Sequence, residues 1–143
     1  MGAVKICSAD KMFSLCIREA ADWCCDRCGT YYPEGKRMGL HCSHHHGRGK
    51  WGTRFVVENA AAHCYGCHRH LGSQPAEHDR WTREYIGEGA YEILLEKVRD
   101  TSLGREARRS KKEIAAHYRA EHKRILELRK EGHTGRLELV SWR

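Results

Sequence analysis

The chain lacks several features that would assign it to common protein classes. Its 143 residues include only two prolines, which leaves little stiff linker. No apolar stretch reaches the roughly 18 residues that a membrane-spanning helix needs, and residues 1–10 lack the charged-then-apolar pattern of a signal peptide. The length is also too short for a barrel or a doubly wound sheet. We therefore expect one small cytoplasmic domain, with a helical extension and with no membrane partner.

Cysteine, histidine and positive charge are abundant. The chain has eight cysteines and eleven histidines, and its formal net charge is +7. Residues 101–143 hold twelve Lys/Arg against six Asp/Glu, so most of the excess positive charge lies in the last third. Cysteines in Cys-x-x-Cys pairs favour metal binding over disulfides in a reducing compartment. A basic segment beside a metal-rich one indicates a polyanionic partner such as nucleic acid.

Apolar periodicity and turn residues divide the chain into short elements. A helix is predicted over residues 10–23, and Gly29 in the knuckle that follows indicates a tight turn. The Gly- and His-rich residues 39–55 read as two short strands around a loop, and residues 56–71 as the entry to a helix. Further helical segments are predicted over residues 77–100, broken near residues 87–89, and over residues 105–131.

Two Cys-x-x-Cys pairs, Cys25–Cys28 and Cys64–Cys67, are the most specific motif. Each pair can hold one ion from a tight turn, and two pairs complete a tetrahedral thiolate shell that suits structural Zn²⁺. Their separation exceeds that of a simple zinc ribbon, so a folded segment should lie between them. Metal binding would supply folding free energy to a small core. Cys24 stays an alternative to Cys25, although it lies one residue further from Cys28.

Histidine and asparagine follow a fixed order around the second pair. His44 lies fifteen residues before Asn59, and Asn59 lies nine before His68, which directly follows Cys67. Together with the two cysteine pairs, this order and spacing resembles the HNH endonucleases in their zinc-knuckle form. The resemblance covers residues 24–71, about a third of the chain. It implies an α+β fold, a small ββα-metal core with a four-cysteine zinc staple flanked by helices, and a DNA hydrolase that leaves a 5′ phosphate and a 3′ hydroxyl.

The resemblance also implies chemical roles. His44, on the first strand, would be the general base, since a neutral imidazole with a pKa near 6.5 accepts a proton around pH 7. Asn59, at the start of the helix, would orient that imidazole. His68, on the helix, would bind a catalytic Mg²⁺ or Mn²⁺ and leave open positions for phosphate and water.

One position departs from the family pattern. Many members carry Asp or His immediately before the base as a second metal ligand, whereas this chain has Ser43, a poor ligand. A shift by one residue makes His44 the ligand and His45 the base, and restores a His-His pair. We favour His44 as the base and keep His45 as the alternative.

Basic residues near these motifs are candidate DNA contacts. They are Arg48, Lys50 and Arg54 beside the expected active site, and Arg108, Arg109, Lys111 and Lys112 in the predicted long helix. Such side chains bind phosphates and make affinity salt-dependent, although charged helix faces are often only solvated. Trp51 lies among the first group, and the sequence leaves open whether it stacks on a base or packs in the core.

The expected organisation has three parts. They are an N-terminal helix in residues 1–23, a zinc-stapled nuclease core in residues 24–75, and a basic helical region packed on or beside the core in residues 76–143. Homodimerisation would supply two active sites for cutting two strands, and the sequence leaves it open.

A narrower similarity concerns the segment between the cysteine pairs. Gly47-Arg48-Gly49, Arg54-Phe55 and Asn59 are similar to the corresponding segment of phage NinG/Rap-type recombination nucleases, which act on branched DNA. If the chain is phage-encoded, as that group is, its expected location is the cytoplasm of a host cell; the sequence leaves the origin open. Two alternatives stay open: a non-catalytic zinc-stabilised DNA-binding module, and a homing or packaging-associated phage HNH nuclease.

Overall fold

The computed structural model describes residues 4–33 and 39–143. Residues 1–3 and 34–38, which fall in the expected N-terminal and core parts, lie outside the described residues. In chain order the elements are α1 (Ser8–Ala20), β1 (Leu40–His44), β2 (Ala60–Cys64), α2 (Tyr65–Ser73), α3 (Pro75–Ile86), α4 (Glu88–Arg99), α5 (Thr101–Arg109) and α6 (Lys111–Lys130). The α+β class is confirmed, with six helices and one two-stranded antiparallel sheet across the described ranges. None of the helices seen there is long and apolar enough to span a bilayer.

The two strands are further apart in sequence than predicted. β1 pairs antiparallel with β2, with Leu40 opposite Cys64 and His44 opposite Ala60. Residues 39–55 therefore contain one strand rather than two, and the second strand falls where a helix entry was predicted. The alanines of β2 have high helix propensity, but every residue of this strand is buried, so sheet pairing and packing outweigh propensity. Helix α2 begins directly after β2.

Helix α1 ends earlier than the apolar pattern predicted. Asp22 and Trp23 have φ values of 55° and 58°, and this left-handed conformation cannot continue a right-handed helix. At the other end, the Asp10 carboxylate accepts a hydrogen bond from the backbone N–H of Cys7 at 2.8 Å, which caps the first turn. The apolar face of α1, including Phe13 and Cys16, is buried.

The predicted long basic helix is in fact two helices. α5 ends at Arg109 and α6 begins at Lys111, with Ser110 at φ −107° and ψ 21° between them. α5 begins before the predicted boundary because the Asp100 side chain caps it, accepting from the backbone N–H of Ser102 at 2.9 Å. The predicted break between α3 and α4 is confirmed, since Gly87 has a φ of 88°.

Helix α6 belongs to the core rather than to a separate tail. It packs along α1, and the Tyr118 ring meets Phe13 edge-to-face with 4.9 Å between centroids. Ile114 and Ile125, on the same side of α6, are fully buried. The Tyr118 hydroxyl donates to the carbonyl oxygen of Phe55. This contact braces the segment between β1 and β2, which carries the candidate site.

Candidate functional site: a four-cysteine cluster beside a histidine-lined cleft

The two Cys-x-x-Cys pairs converge as predicted. The Sγ atoms of Cys25, Cys28, Cys64 and Cys67 all lie within 4.8 Å of one another, and Cys28 Sγ lies 3.8 Å from Cys64 Sγ. Zn–S bonds of about 2.3 Å in a tetrahedron require sulfur atoms about 3.8 Å apart. The cluster could therefore hold a structural metal such as zinc. Cys24 is outside it, and its Sγ contacts the carbonyl oxygen of Asp22 instead.

Local backbone geometry explains why the cysteines meet. Gly29 has a φ of 78°, which closes the first turn, and its N–H donates to the carbonyl oxygen of Cys25 at 2.8 Å. Asp26 then pairs with β2: its N–H donates to the carbonyl oxygen of Ala62 at 2.7 Å, and its carboxylate accepts from the N–H of Ala62 at 2.8 Å. The second pair follows β2 immediately, so the same strand positions both pairs.

A positive side chain touches the cluster, which the sequence did not predict. Arg27 Nη1 donates to Cys67 Sγ at 3.4 Å, and its Nη2 donates to Glu77 Oε1 of α3 at 3.2 Å. Four thiolates around a divalent ion carry excess negative charge, which a guanidinium offsets. Arg27 thereby also links the cluster to α3.

His44 and His68 line the same cleft. His44 is the last residue of β1, and His68 lies in the first turns of α2. The cleft has a volume of about 580 Å³. Its walls include Arg18, His41, His44, Gly47, Arg48 and His68. It is therefore a basic, histidine-rich surface suited to an anion such as a phosphate.

The His44 ring is held in one orientation. Its Nε2 lies 3.1 Å from the carbonyl oxygen of Arg54, and the ring packs against Phe13 with 5.7 Å between centroids. Burial, and next the positive charge of Arg48, lower the pKa of His44 to about 4. The imidazole is therefore neutral at pH 7. Because a carbonyl oxygen only accepts, Nε2 carries the hydrogen and Nδ1 keeps its lone pair.

His45 is engaged with the helices α3 and α4. Its Nε2 lies 3.2 Å from the hydroxyl of Tyr91 and 3.4 Å from Asp79 Oδ1, and its ring packs against His78 with 4.8 Å between centroids. Burial lowers its pKa to about 4 as well. These partners lie far along the chain, so the sequence alone did not indicate them.

His68 has a hydroxyl neighbour and an aromatic neighbour. Its Nδ1 lies 3.2 Å from Ser43 Oγ, and its ring stacks on His41 with 5.5 Å between centroids and an interplanar angle of 11°. Ser43, the residue before His44, thus contacts His68 across the cleft edge through its hydroxyl. Within residues 4–33 and 39–143, no group of three or more ligand side chains converges outside the four-cysteine cluster.

Asn59 does not orient the His44 imidazole, and it does not begin the helix. It ends a 3-10 turn, Val57–Asn59, directly before β2. Its Nδ2 donates to the carbonyl oxygens of His46 and Thr53 at 2.9 and 3.0 Å, and its Oδ1 accepts from the N–H of His46 at 2.8 Å. The buried amide therefore closes the loop that carries Arg48 across to the cleft.

Arg54 is a structural residue, contrary to the expectation that it contacts DNA. Its side chain is 0% exposed. Its Nε and Nη2 donate to the two carboxylate oxygens of Asp10 at 2.9 and 2.6 Å, and Nη2 also donates to the carbonyl oxygen of Lys5 at 2.8 Å. A buried guanidinium needs such a paired carboxylate. The pair joins α1 to the loop, and the one nitrogen of Arg54 without a hydrogen-bond partner, Nη1, is buried and so out of reach of a phosphate at the surface.

The other predicted DNA-contacting residues are accessible. The Arg48 side chain is 36% exposed, with its Nε 3.9 Å from Asp10 Oδ1. The remaining members are exposed and form no ion pair in the described structure: Lys50, Arg108, Arg109, Lys111 and Lys112. Their charges are therefore available to a polyanion.

Comparisons with known proteins add no relative. A scan of protein-family models, a search of curated proteins and a search of solved structures each return no significant match to this chain.

Proposed function

We propose that the protein is a DNA endonuclease of the HNH type, with His44 as the general base and His68 beside the scissile phosphate. One observation carries the proposal: His44 from β1 and His68 from α2 line one basic cleft with Arg48. The antiparallel strand pair, the helix that follows it and the four-cysteine cluster support the same interpretation.

His44 suits the base because of its tautomer and because it is neutral at pH 7. Its Nε2–H faces the carbonyl oxygen of Arg54, so Nδ1 is the proton acceptor. Its lowered pKa keeps it neutral at pH 7. In the proposed step a water loses a proton to Nδ1, its oxygen bonds to phosphorus, and the bond from phosphorus to the 3′ oxygen breaks. The departing oxygen takes a proton from solvent, giving a 5′ phosphate and a 3′ hydroxyl.

His68 is the proposed ligand for a divalent ion. Since Nδ1 contacts Ser43, Nε2 is the nitrogen available to the ion. Such an ion would supply charge neutralisation at the phosphate. The walls described for the cleft contain no carboxylate, and an imidazole donor suits Zn²⁺, Fe²⁺ or Ni²⁺ better than Mg²⁺ or Mn²⁺. The donor set is thus only a partial fit to the expected Mg²⁺ or Mn²⁺.

A zinc-stabilised DNA-binding module without catalysis is the second candidate. It is favoured by the lack of three converging metal ligands in the described cleft. It would use the same exposed basic residues, because phosphate contacts need charge but no general base.

The deciding experiment is cleavage of a labelled duplex with Mg²⁺, Mn²⁺, Ni²⁺ or Co²⁺ added to zinc-loaded protein. We expect metal-dependent cutting by the wild type and its loss in His44→Ala and His68→Ala. His70→Ala is the matched control, since His70 is an exposed histidine of the same helix, paired with Glu77. DNA binding without cutting under every ion would leave the binding module as the function.

A further inference from the structure

A second concave surface lies beside the histidine-lined cleft and is built around Trp51. This pocket has a volume of about 500 Å³, within the range of pockets that hold a nucleotide-sized ligand. Val4 lines both the pocket and the cleft, so the two are adjacent. The walls of the Trp51 pocket include Lys5, Gly49, Trp51, Arg108 and Lys111.

Trp51 is half-buried and surrounded by cations. The Arg54 guanidinium lies 4.2 Å from the ring centroid, Arg108 lies at 5.2 Å and the ammonium of Lys111 at 5.5 Å. Arg54 is neutralised by Asp10. Arg108 and Lys111, in contrast, form no ion pair among the described residues. The pocket therefore combines an aromatic ring with positive charge that the protein itself does not neutralise.

The position of Trp51 is rigid. The next residue, Gly52, is buried against the end of α4, where an added Cβ would lie 2.6 Å from the carbonyl oxygen of Lys97. No side chain fits there, and the loop is pressed against that helix. The Trp51 ring also meets Phe55 with 6.1 Å between centroids. A ring held in this way loses little freedom when a ligand stacks on it.

We propose that this pocket binds an unpaired nucleotide of a DNA strand whose neighbouring duplex occupies the cleft. The base stacks on Trp51 in place of Arg108 and Lys111, which lie over the ring in the free protein. These two side chains and Lys5 then contact the phosphates on either side. Stacking needs a base that is free of its partner, since a base inside a duplex presents only its edges. The proposal rests on the proposed function for the position of the duplex, while the pocket's affinity for a single strand is independent of catalysis.

The test is binding of a short labelled single strand, measured by fluorescence anisotropy on zinc-loaded protein without a catalytic ion. We expect Trp51→Ala to weaken binding about tenfold or more, with Trp51→Phe intermediate. Arg108→Ala and Lys111→Ala should weaken binding and reduce its salt dependence. Lys123→Ala is the matched control, because it removes an exposed lysine of α6 about 18 Å along the helix from Lys111, and it should bind as the wild type does.

The outcomes separate this inference from the proposed function. Unchanged binding by folded Trp51→Ala, or equal losses in Lys111→Ala and Lys123→Ala, overturns the pocket and leaves general electrostatic attraction. Trp51→Ala can disturb packing, so its melting temperature is compared with that of the wild type. If Trp51→Ala does not fold, the inference is tested by the Arg108→Ala and Lys111→Ala variants, whose side chains are exposed. If the wild type cleaves DNA but Trp51→Ala binds the single strand as the wild type does, the pocket is overturned and the nuclease stands. If Trp51→Ala weakens single-strand binding but the wild type cleaves DNA with none of the ions, the nuclease is overturned and the pocket stands.

Discussion

The Nε2 atom of His44 lies 3.1 Å from the carbonyl oxygen of Arg54, and the side chain of that same arginine is locked to Asp10. The backbone group that sets the tautomer of the proposed base is therefore positioned by a buried ion pair. Burial alone would raise the pKa of Asp10, but hydrogen bonds with Arg54 and Cys7 outweigh it and lower that pKa. The pair thus stays ionised at neutral pH.

Replacing the two candidate bases separates them. His44→Ala should reduce the cleavage rate by about 100-fold or more, because a general base contributes that much. His45→Ala should lower the rate less, since Nε2 of His45 contacts Tyr91 and Asp79 and its Nδ1 is buried. Single-turnover cleavage measures both. A larger loss in His45→Ala would make His45 the base and His44 the ligand.

The pH dependence of cleavage should follow the lowered pKa of His44. A base must be neutral to act, so the rate is retained above its pKa and falls as pH drops through that value. With the pKa lowered to about 4, cleavage per bound substrate should change little between pH 7.5 and 5.5. An unperturbed histidine would lose about tenfold over that interval. A tenfold fall with a midpoint near 6.5 in single-turnover assays would contradict this assignment.

Loss of the four-cysteine cluster should unfold the domain. Cys25→Ser or Cys64→Ser should remove bound zinc and lower the melting temperature strongly, because structural zinc supplies much of the folding free energy of small domains. Cys24→Ser is the matched control and should keep its zinc, since Cys24 lies outside the cluster. Zinc content by atomic spectroscopy and thermal melts would check this. Equal zinc loss in Cys24→Ser would bring that thiol into the ligand set.

Substitutions of Arg54 and Arg48 should affect stability and DNA binding differently, because only Arg54 forms a buried ion pair with Asp10. Arg54→Met leaves the Asp10 carboxylate buried without its partner, so we expect a loss of about 3–5 kcal/mol in the free energy of unfolding. Arg48→Met removes a half-exposed side chain and should cost less than about 1 kcal/mol, while weakening DNA binding. Urea denaturation and anisotropy would measure the two effects. Normal stability with weakened DNA binding in Arg54→Met would restore Arg54 as a DNA contact.

The sequence predicted features that follow from a specific motif or from the conformation of a single residue. The four-cysteine cluster, the turn at Gly29 and the break at Gly87 each follow from spacing or from a conformation that glycine favours. It failed for β2, because the helix propensity of alanine carries no information about strand partners that lie 16 to 20 residues away. Helix propensity is a property of each residue, whereas strand pairing depends on packing in the folded structure.

Roles of charged and polar residues were harder to predict than the fold. Arg54 and Arg48 are both arginines in one loop, yet the first is buried against Asp10 of α1 and the second faces the cleft. Asn59 holds the backbone at His46 rather than a catalytic ring. In each case the deciding partner lies at least thirteen residues away, beyond the reach of a local pattern.

A four-way junction should be cut faster than a linear duplex of the same sequence, if the similarity to branched-DNA nucleases holds. The physical reason is that exposed cations lie in the loop after β1, at Arg48 and Lys50, and also across α5 and α6, at Arg109 and Lys112. We expect two arms that diverge from one point to reach more of these positions than a single straight duplex does, and each added phosphate contact strengthens binding. Arg109→Ala with Lys112→Ala should therefore reduce junction cutting more than duplex cutting, whereas His44→Ala should abolish both. Equal rates on the two substrates, with equal losses in the double variant, would keep the nuclease and remove its preference for branched DNA.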